Sequence, residues 1–396
     1  MKYNIWNKWD PLKVCMIGNC YTPEFFNGLK NKKTADPLKR ICEETLEDLL
    51  VYKETLEQFG VKVLQPRIDN SERFVENPKM PRPPMHPRDS ILIAGNNAYK
   101  TTKDHIGIEE CILEYDNNSK QYKDLTQGKQ KLKLVYQDYY ERIAGADYPT
   151  YDEYKANINN PDYFDNDVYS ELASKFVPAF PFINPDTYII GQDVYLNISS
   201  NKGKRQPHAK VDEVFAKFRK NYVNLEGHGD GNFQPIKPGA ILSLNEVQSY
   251  QKTFPNWDVC YLEENVLEAY AGYENLGSLR DKNEGKWWLA GEEDNDEFTQ
   301  FVETWLQEWV GYVTESVFDV NVLMIDEYHM CVSQIDNPEL TPFLKKHNIE
   351  AVHVPLRHRW FWDGGLHCTS LDIYREGTQQ DYFPDRKQPI IDKGFI

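Results

Sequence analysis

The segment Gly364-Gly365-Leu366-His367-Cys368-Thr369-Ser370 sets a cysteine behind a double glycine. A thiol there could act as a nucleophile, because glycines let a substrate approach the backbone closely. The competing reading is a small buried hydrophobe. A second polar segment is Gly227-His228-Gly229-Asp230-Gly231-Asn232. On an extended chain His228 and Asp230 would point the same way, toward one pocket. An imidazole can shuttle protons near neutral pH, and a carboxylate can grip a cation. The alternative is a polar, glycine-rich turn, with Glu226 either joining the site or lying at the surface. Asp89, in Pro87-Arg88-Asp89, and Asp186 each precede an apolar strand, where a central pocket would collect side chains. Taken singly, each also reads as a turn or cap residue. Zinc is a poor explanation, since there is no HExxH and no paired cysteines. His86, His353 and His358 read as surface or structural histidines.

These residues need elements to position them. Strands are expected at residues 14–18, 61–64, 91–94, 187–190, 194–198, 241–244, 259–262, 321–323, 330–332 and 351–354, from short apolar runs bounded by turn residues. A long helix over residues 36–59 carries Leu38, Ile41, Leu46, Leu49, Leu50 and Leu56 on a broad apolar face. Helical spacing also covers 210–220, 245–250, 298–313 and 338–347. About five small units of strand, turn, strand, helix and strand can be sketched, alike in shape and not in sequence. Such units around a centre imply a propeller-like α/β domain. A doubly wound sheet is the rival, but no GxGxxG follows any strand. The polar stretch near 117–147 and the acidic stretch near 264–316 read as insertions in a single domain of residues 1–396.

Composition narrows the classes. The 396 residues are 40% hydrophobic and 27% charged, a globular balance. With 45 Lys+Arg against 62 Asp+Glu, the formal charge of −17 disfavours attraction to nucleic acid or an anionic membrane. No apolar run approaches the roughly 18 residues that span a bilayer, and the N-terminus opens no signal-peptide core. Seven cysteines scattered singly fit a reducing, cytoplasmic compartment.

Six blocks, in order, resemble the amidinotransferases, the family of the glycine and inosamine-phosphate amidinotransferases. They are Asn7-Lys8-Trp9-Asp10-Pro11-Leu12, the Pro87-Arg88-Asp89 segment, the stretch around Asp186 and Gly191-Gln192-Asp193, and His228-Gly229-Asp230 with Pro238-Gly239-Ala240. Asn321-Val322-Leu323-Met324-Ile325-Asp326-Glu327 and Gly364-Gly365-Leu366-His367-Cys368-Thr369 complete the series. The resemblance implies a pentein α/β propeller of five ββαβ-type units around a central site. It implies Cys368 as nucleophile, His228 as general acid/base, Asp186 as its orienting carboxylate, and Asp89 and Asp230 as the acids on a guanidinium group. The implied reaction moves an amidino group from a guanidino donor, arginine first, to an acceptor amine, through a covalent amidino-cysteine and without metal or cofactor. A homodimer is left open. A deiminase-type guanidine hydrolase and a non-catalytic guanidino-binding protein are the alternatives on the same fold. One departure stands out. Where the family places an arginine on the donor's carboxylate, residues 242–248 contain none, and Lys237 and Arg357 are the nearby basic candidates to replace it.

Overall fold

The computed structural model describes residues 2–77, 80–102, 106–117, 119–126, 180, 182–197, 209–223, 229–244, 250–262, 289–292, 294–310, 320–334, 337–388 and 390. Among these, fifteen strands make five three-stranded sheets. The first sheet joins β1 (Leu12–Ile17) and β2 (Lys62–Leu64) to β15 (Ser370–Arg375), from the far end of the chain. The second is β3 (Ile91–Ala94), β4 (Asn97–Lys100) and β5 (Tyr122–Asp124). The third is β6 (Thr187–Ile190), β7 (Asp193–Asn197) and β8 (Arg219–Val223). The fourth is β9 (Phe233–Lys237), β10 (Ala240–Ser243) and β11 (Asp258–Tyr261), and the fifth β12 (Leu323–Met324), β13 (His329–Val332) and β14 (Glu350–His353).

Every sheet is built alike. A central strand runs antiparallel to one neighbour and parallel to the other. A parallel neighbour needs a crossover, and a helix lies in each one. These are α1 (Lys32–Gln58), then Ile108–Asp116, Ala209–Val214, Tyr250–Thr253 and Leu340–Lys346. The unit read from the sequence therefore recurs, with β5 falling inside the polar stretch near residue 122. Strands β3, β6, β7 and β10 are buried along their whole length, and apart from polar residues at strand ends they read as apolar runs.

Two boundaries differ from expectation for identifiable reasons. Helix α1 starts at Lys32, ahead of the expected residue 36, because the Asn31 side chain caps Lys33 N at 3.1 Å. Pro37 then lies inside the helix and cannot donate to the Lys33 carbonyl. Asn295 Nδ2 supplies that donor at 2.7 Å. The expected helix over 210–220 stops at Val214, and Arg219 opens strand β8. Arg219 is drawn into the sheet by Asp193 and Asp381, and Asn221 Nδ2 bonds Asp193 Oδ1 at 2.8 Å.

The chain ends lace the sheets together. Ile5 N bonds Gly95 O at 2.9 Å, Gly191 N bonds Trp6 O at 2.6 Å, and Leu12 N bonds Ile325 O at 2.8 Å. Gly191 sits at φ +61, and a β-carbon there would strike the Gln380 carbonyl at 2.0 Å, so the β6–β7 turn admits only glycine. From the other end, Gln192 N bonds Gln380 O at 2.8 Å and Ile390 N bonds Asn221 Oδ1 at 2.8 Å. These contacts fix the turn ends of the sheets and leave the opposite strand ends to converge.

Candidate active site

Four residues singled out above, and Asn321 with them, share one structural address. Asp89 stands just before β3, Asp186 before β6, Asp230 before β9, Asn321 before β12 and Cys368 before β15. Each is thus at the entrance of the outer antiparallel strand of a different sheet. Three entrances are short helical turns: α2 (Pro87–Ser90) and the 3-10 turns Asn184–Asp186 and Gly229–Gly231. The first packs on the second and the second on the third. Gly229 is needed at this junction, since a β-carbon on it would meet the Tyr188 hydroxyl at 2.2 Å.

Cys368 is 3% exposed. Its Sγ accepts from Asn321 Nδ2 at 3.0 Å, and its backbone N donates to Asn321 Oδ1 at 3.0 Å. Asp230 Oδ2 lies 3.6 Å from the sulfur and 2.7 Å from His367 Nδ1. Asn321 Nδ2 also reaches the Asp230 carbonyl at 3.3 Å. One asparagine therefore orients the thiol, its backbone and the neighbouring acid. Gly364 and Gly365 turn out to admit protein side chains. A β-carbon on Gly365 would strike Asn321 Oδ1 at 2.7 Å, and one on Gly364 would strike His86 Nε2 at 2.4 Å.

Arg88 is the fully buried hub beneath this cluster. Its Nε donates to the carbonyls of His367 and Ser370, both at 2.9 Å, and its guanidinium pairs with Asp372 at 2.5 Å. Arg375 holds the other Asp372 oxygen at 2.7 Å. Burial would raise the Asp372 carboxyl, but Arg375, Lys8 and Arg88 keep it well below the usual range. Burial, then the charge of Arg88, lowers His367 to about 3, so this imidazole is neutral and donates Nδ1–H to Asp230. Lys8, also buried, is lowered to about 7 by burial and then by Arg88. Burial pushes the other thiols up, to about 11 at Cys111 and about 12 at Cys15 and Cys260.

The structure thus brings Cys368 and Asp230 together, and Asp89 joins through His86, whose Nδ1 is 3.8 Å from Asp89 Oδ2. Asp186 is buried in its turn and accepts from Asn197 Nδ2 at 3.4 Å. His228, Glu226 and residues 245–248 lie outside the described residues. The extended geometry expected for residues 228–230 does not hold at its described end, because Gly229–Gly231 forms a 3-10 turn. His358, bonded to Glu44 at 2.7 Å, and buried His86, 3.1 Å from Arg82 NH2, are both internal, the structural of the two readings offered. Neither basic candidate stands free to serve as an anchor. Lys237 Nζ donates to the His347 carbonyl at 3.2 Å over the Tyr328 ring, and Arg357 is paired with Asp48 at 2.9 Å and Glu47 at 2.7 Å. Sequence reasoning gave no role to Asn321, His86, Arg88 or His367. Asn321 carried a usable signal, as the polar residue opening the one strand unit left without a site residue. Among the described residues, no group of three or more His, Cys, Asp or Glu is arranged to hold a metal.

A buried cysteine, oriented by an asparagine beside a carboxylate at the strand entrances of small α/β sheets, defines a thiol site built to face a cation. No protein-family model matches the chain. It is 20% identical over 413 residues to inosamine-phosphate amidinotransferase 1 of Streptomyces glaucescens, covering 96% of this chain and 98% of that protein. It is 22% identical over 411 residues to L-arginine:L-lysine amidinotransferase of Pseudomonas savastanoi pv. phaseolicola, covering 95% of each. Among solved structures, an amidinotransferase of the saxitoxin biosynthetic pathway from Microseira wollei matches with TM-score 0.59 at 17% identity, over 96% of this chain and 99% of that one. The inosamine-phosphate amidinotransferase of Streptomyces griseus matches with TM-score 0.56 at 17% identity, over 96% and 99%. The resemblance to amidinotransferases read from the six sequence blocks therefore runs along nearly the whole chain, and the fold is theirs.

Proposed function

We propose that the protein is an amidinotransferase in which Cys368 carries the amidino group, with arginine as donor and a primary amine as acceptor. The observation that carries this reading is the placement of the Cys368 sulfur, 3.0 Å from Asn321 Nδ2 and 3.6 Å from Asp230 Oδ2. A thiol beside a carboxylate is held protonated until a cation arrives. A guanidinium binding between Asp230 and Asp89 satisfies those carboxylates through charge-assisted hydrogen bonds, and His228 takes the thiol proton to leave the thiolate. Resonance makes the guanidinium carbon a poor electrophile, which suits a thiolate. The sulfur attacks that carbon, and the C–N bond to the rest of the donor breaks as His228 protonates the departing amine, ornithine if the donor is arginine. The acceptor amine then attacks the amidino carbon, His228 takes its proton, and the C–S bond breaks to restore the thiolate. Asp186 orients His228 in this scheme.

The five sheets are arranged in this reading as a closed pentein propeller, one domain over residues 1–396 with insertions near 117–147 and 264–316. The pairing of the C-terminal β15 with the N-terminal β1 supports closure, since it supplies the first unit with its outer strand. A cytoplasmic location belongs to the same proposal. Among the described residues no helix is long and apolar enough to cross a membrane. The test is intact-mass analysis after mixing with arginine. A gain matching one amidino group on wild type, absent in Cys368→Ser, is expected, and transfer of that group to added amine follows. Full turnover by Cys368→Ser would exclude the covalent route, and a ureido product in place of an amidinated amine would mean that water is the acceptor.

A further inference from the structure

His367 takes no step in the scheme above, yet it holds a carboxylate that the scheme needs. It is 2% exposed. Its Nδ1 lies 2.7 Å from Asp230 Oδ2, the same oxygen that stands 3.6 Å from the Cys368 sulfur. Its Nε2 is buried and has no hydrogen-bond partner among the described residues. That asymmetry decides where the protons sit. An imidazolium donates from both nitrogens, and here its second N–H would be buried with nothing to accept it, at the full desolvation cost of a charged donor. A neutral ring with its proton on Nε2 would bury the same orphan donor and would need a protonated Asp230 to make the bond at Nδ1. A neutral ring with its proton on Nδ1 leaves only a lone pair without a partner and lets Asp230 stay ionised. The surroundings act in the same direction. Burial opposes a second proton on the ring, and so do the charges of Lys8 and of Arg88, whose Nε donates to the His367 carbonyl at 2.9 Å.

We infer that His367 is a positioning residue locked in its neutral form, whose Nδ1–H keeps Asp230 ionised and aimed beside Cys368 without cancelling its charge. The inference rests on the reading of Asp230 as an acid that receives the donor's guanidinium. The charged and titratable groups around the ring, among the described residues, are Asp230 before β9, Arg88 in α2, Lys8 ahead of β1, Asp372 in β15 and the adjoining Cys368. A neutral donor favours the ionised carboxylate and adds no positive charge. A protonated ring in the same place would pair with Asp230 as a cation and compete with the guanidinium. Asn321 Nδ2 reaches the Asp230 carbonyl at 3.3 Å, so the acid is held by its main chain on one side and by His367 on the other.

The role is read in the pH dependence of donor binding. His367→Asn sets its amide nitrogen near the place of Nδ1, whereas His367→Leu fills the space without a donor. Both changes are made on Cys368→Ala, so that binding is measured without turnover, and arginine binding is followed by calorimetry from acid to neutral pH. Losing a donor to a charged carboxylate makes it easier to protonate. The acid limb of binding in the Leu variant should therefore move up by about one unit, weakening arginine about tenfold on that limb, while the Asn variant follows its parent. Acid limbs that coincide in the Leu variant and its parent would overturn the inference, as would a loss equal at every pH in both variants, which marks a packing role. Nitrogen NMR of histidine-labelled wild type gives a readout independent of variant folding. The Nδ1–H tautomer, unchanged between about pH 5 and 8, is expected for His367. The Nε2–H form, or protonation within that range, refutes the inference. Failure of the donor reading would appear separately, as no arginine binding to Cys368→Ala at any pH.

Discussion

Replacing Asn321 tests whether the sulfur is tuned by its neighbours. Asn321→Ala removes the Nδ2 donor at 3.0 Å and the acceptor of the Cys368 backbone N–H at 3.0 Å. A hydrogen bond to a charged group is worth about 1.5–3 kcal/mol, and one pKa unit is about 1.4 kcal/mol. The thiol should therefore rise by roughly one to two units, and the thiolate present at neutral pH should fall about ten- to a hundredfold. Single-turnover formation of the amidino adduct with saturating donor is the assay. The rate should drop by that factor at neutral pH and recover as pH is raised, because alkali restores the thiolate that the lost donor no longer favours. Asn321→Asp sharpens the test. It keeps an acceptor for the backbone N–H but sets a carboxylate 3.0 Å from the sulfur, where two unit charges repel by roughly 5 kcal/mol at an effective dielectric near 20. Adduct formation should be slower than in Asn321→Ala. Equal slowing at every pH, or no slowing, would refute the argument that Asn321 acts through the charge on sulfur.

Two further outcomes follow from buried cations. Lys8 is lowered to about 7 by burial and Arg88, below the roughly 10.4 of an unfolded lysine. Its contribution to stability is therefore full only above about pH 10 and is lost as pH falls through 7, since the unfolded chain binds the proton more tightly across that window. Lys8→Met should raise the thermal unfolding midpoint at pH 6 and flatten its dependence between about pH 7 and 10, while Arg88 and Arg375 go on neutralising Asp372. A lowered midpoint would mean that Lys8 is needed as a counter-charge. For the donor, Lys237 and Arg357 are both engaged away from the cysteine. Agmatine is therefore expected to serve about as well as arginine in steady-state kinetics. A preference for arginine above about a hundredfold, the scale of one well-formed buried ion pair, would overturn this.

Periodicity and turn chemistry made the repeated unit legible because each strand is short, apolar and bounded by Gly, Asn or Asp. Ile91–Ala94 and Thr187–Ile190 were found to the residue. Strands β5, β8, β9 and β15 were not. Tyr122–Asp124 and Arg219–Val223 are polar parallel strands at sheet edges, placed by hydrogen bonds and ion pairs more than by an apolar face. Phe233–Lys237 contains Pro235, which argues against a strand except on an outer position, and β9 is an outer strand. In the site, Cys368, Asp230 and Asp89 were legible because their segments combine reactive groups with glycine or a strand start. His86 and Asn321 were not, because their places come from contacts made across the fold, His86 at Gly364 and Asn321 at Gly365 and Cys368.

That last point bears on how such a site tolerates divergence. Five strand entrances from five sheets each contribute one side chain, so no single stretch has to carry the constellation. What each entrance needs is a backbone turn that aims one residue inward and a neighbour small enough to let it in. Tyr188 over Gly229, His86 at Gly364 and Asn321 at Gly365 show that requirement three times. Such pairs can change together while the main chain stays in place. A protein 20% identical to a relative over 96% of its length can therefore keep the fold and still line Cys368 differently. In this chain the lining includes the His86 imidazole and the Asn321 amide, each standing where a glycine leaves room for it. The glycine pair then shapes the site through what it admits as much as through its backbone, since a side chain at 364 would strike both His86 and Cys368 and one at 365 would strike Asn321.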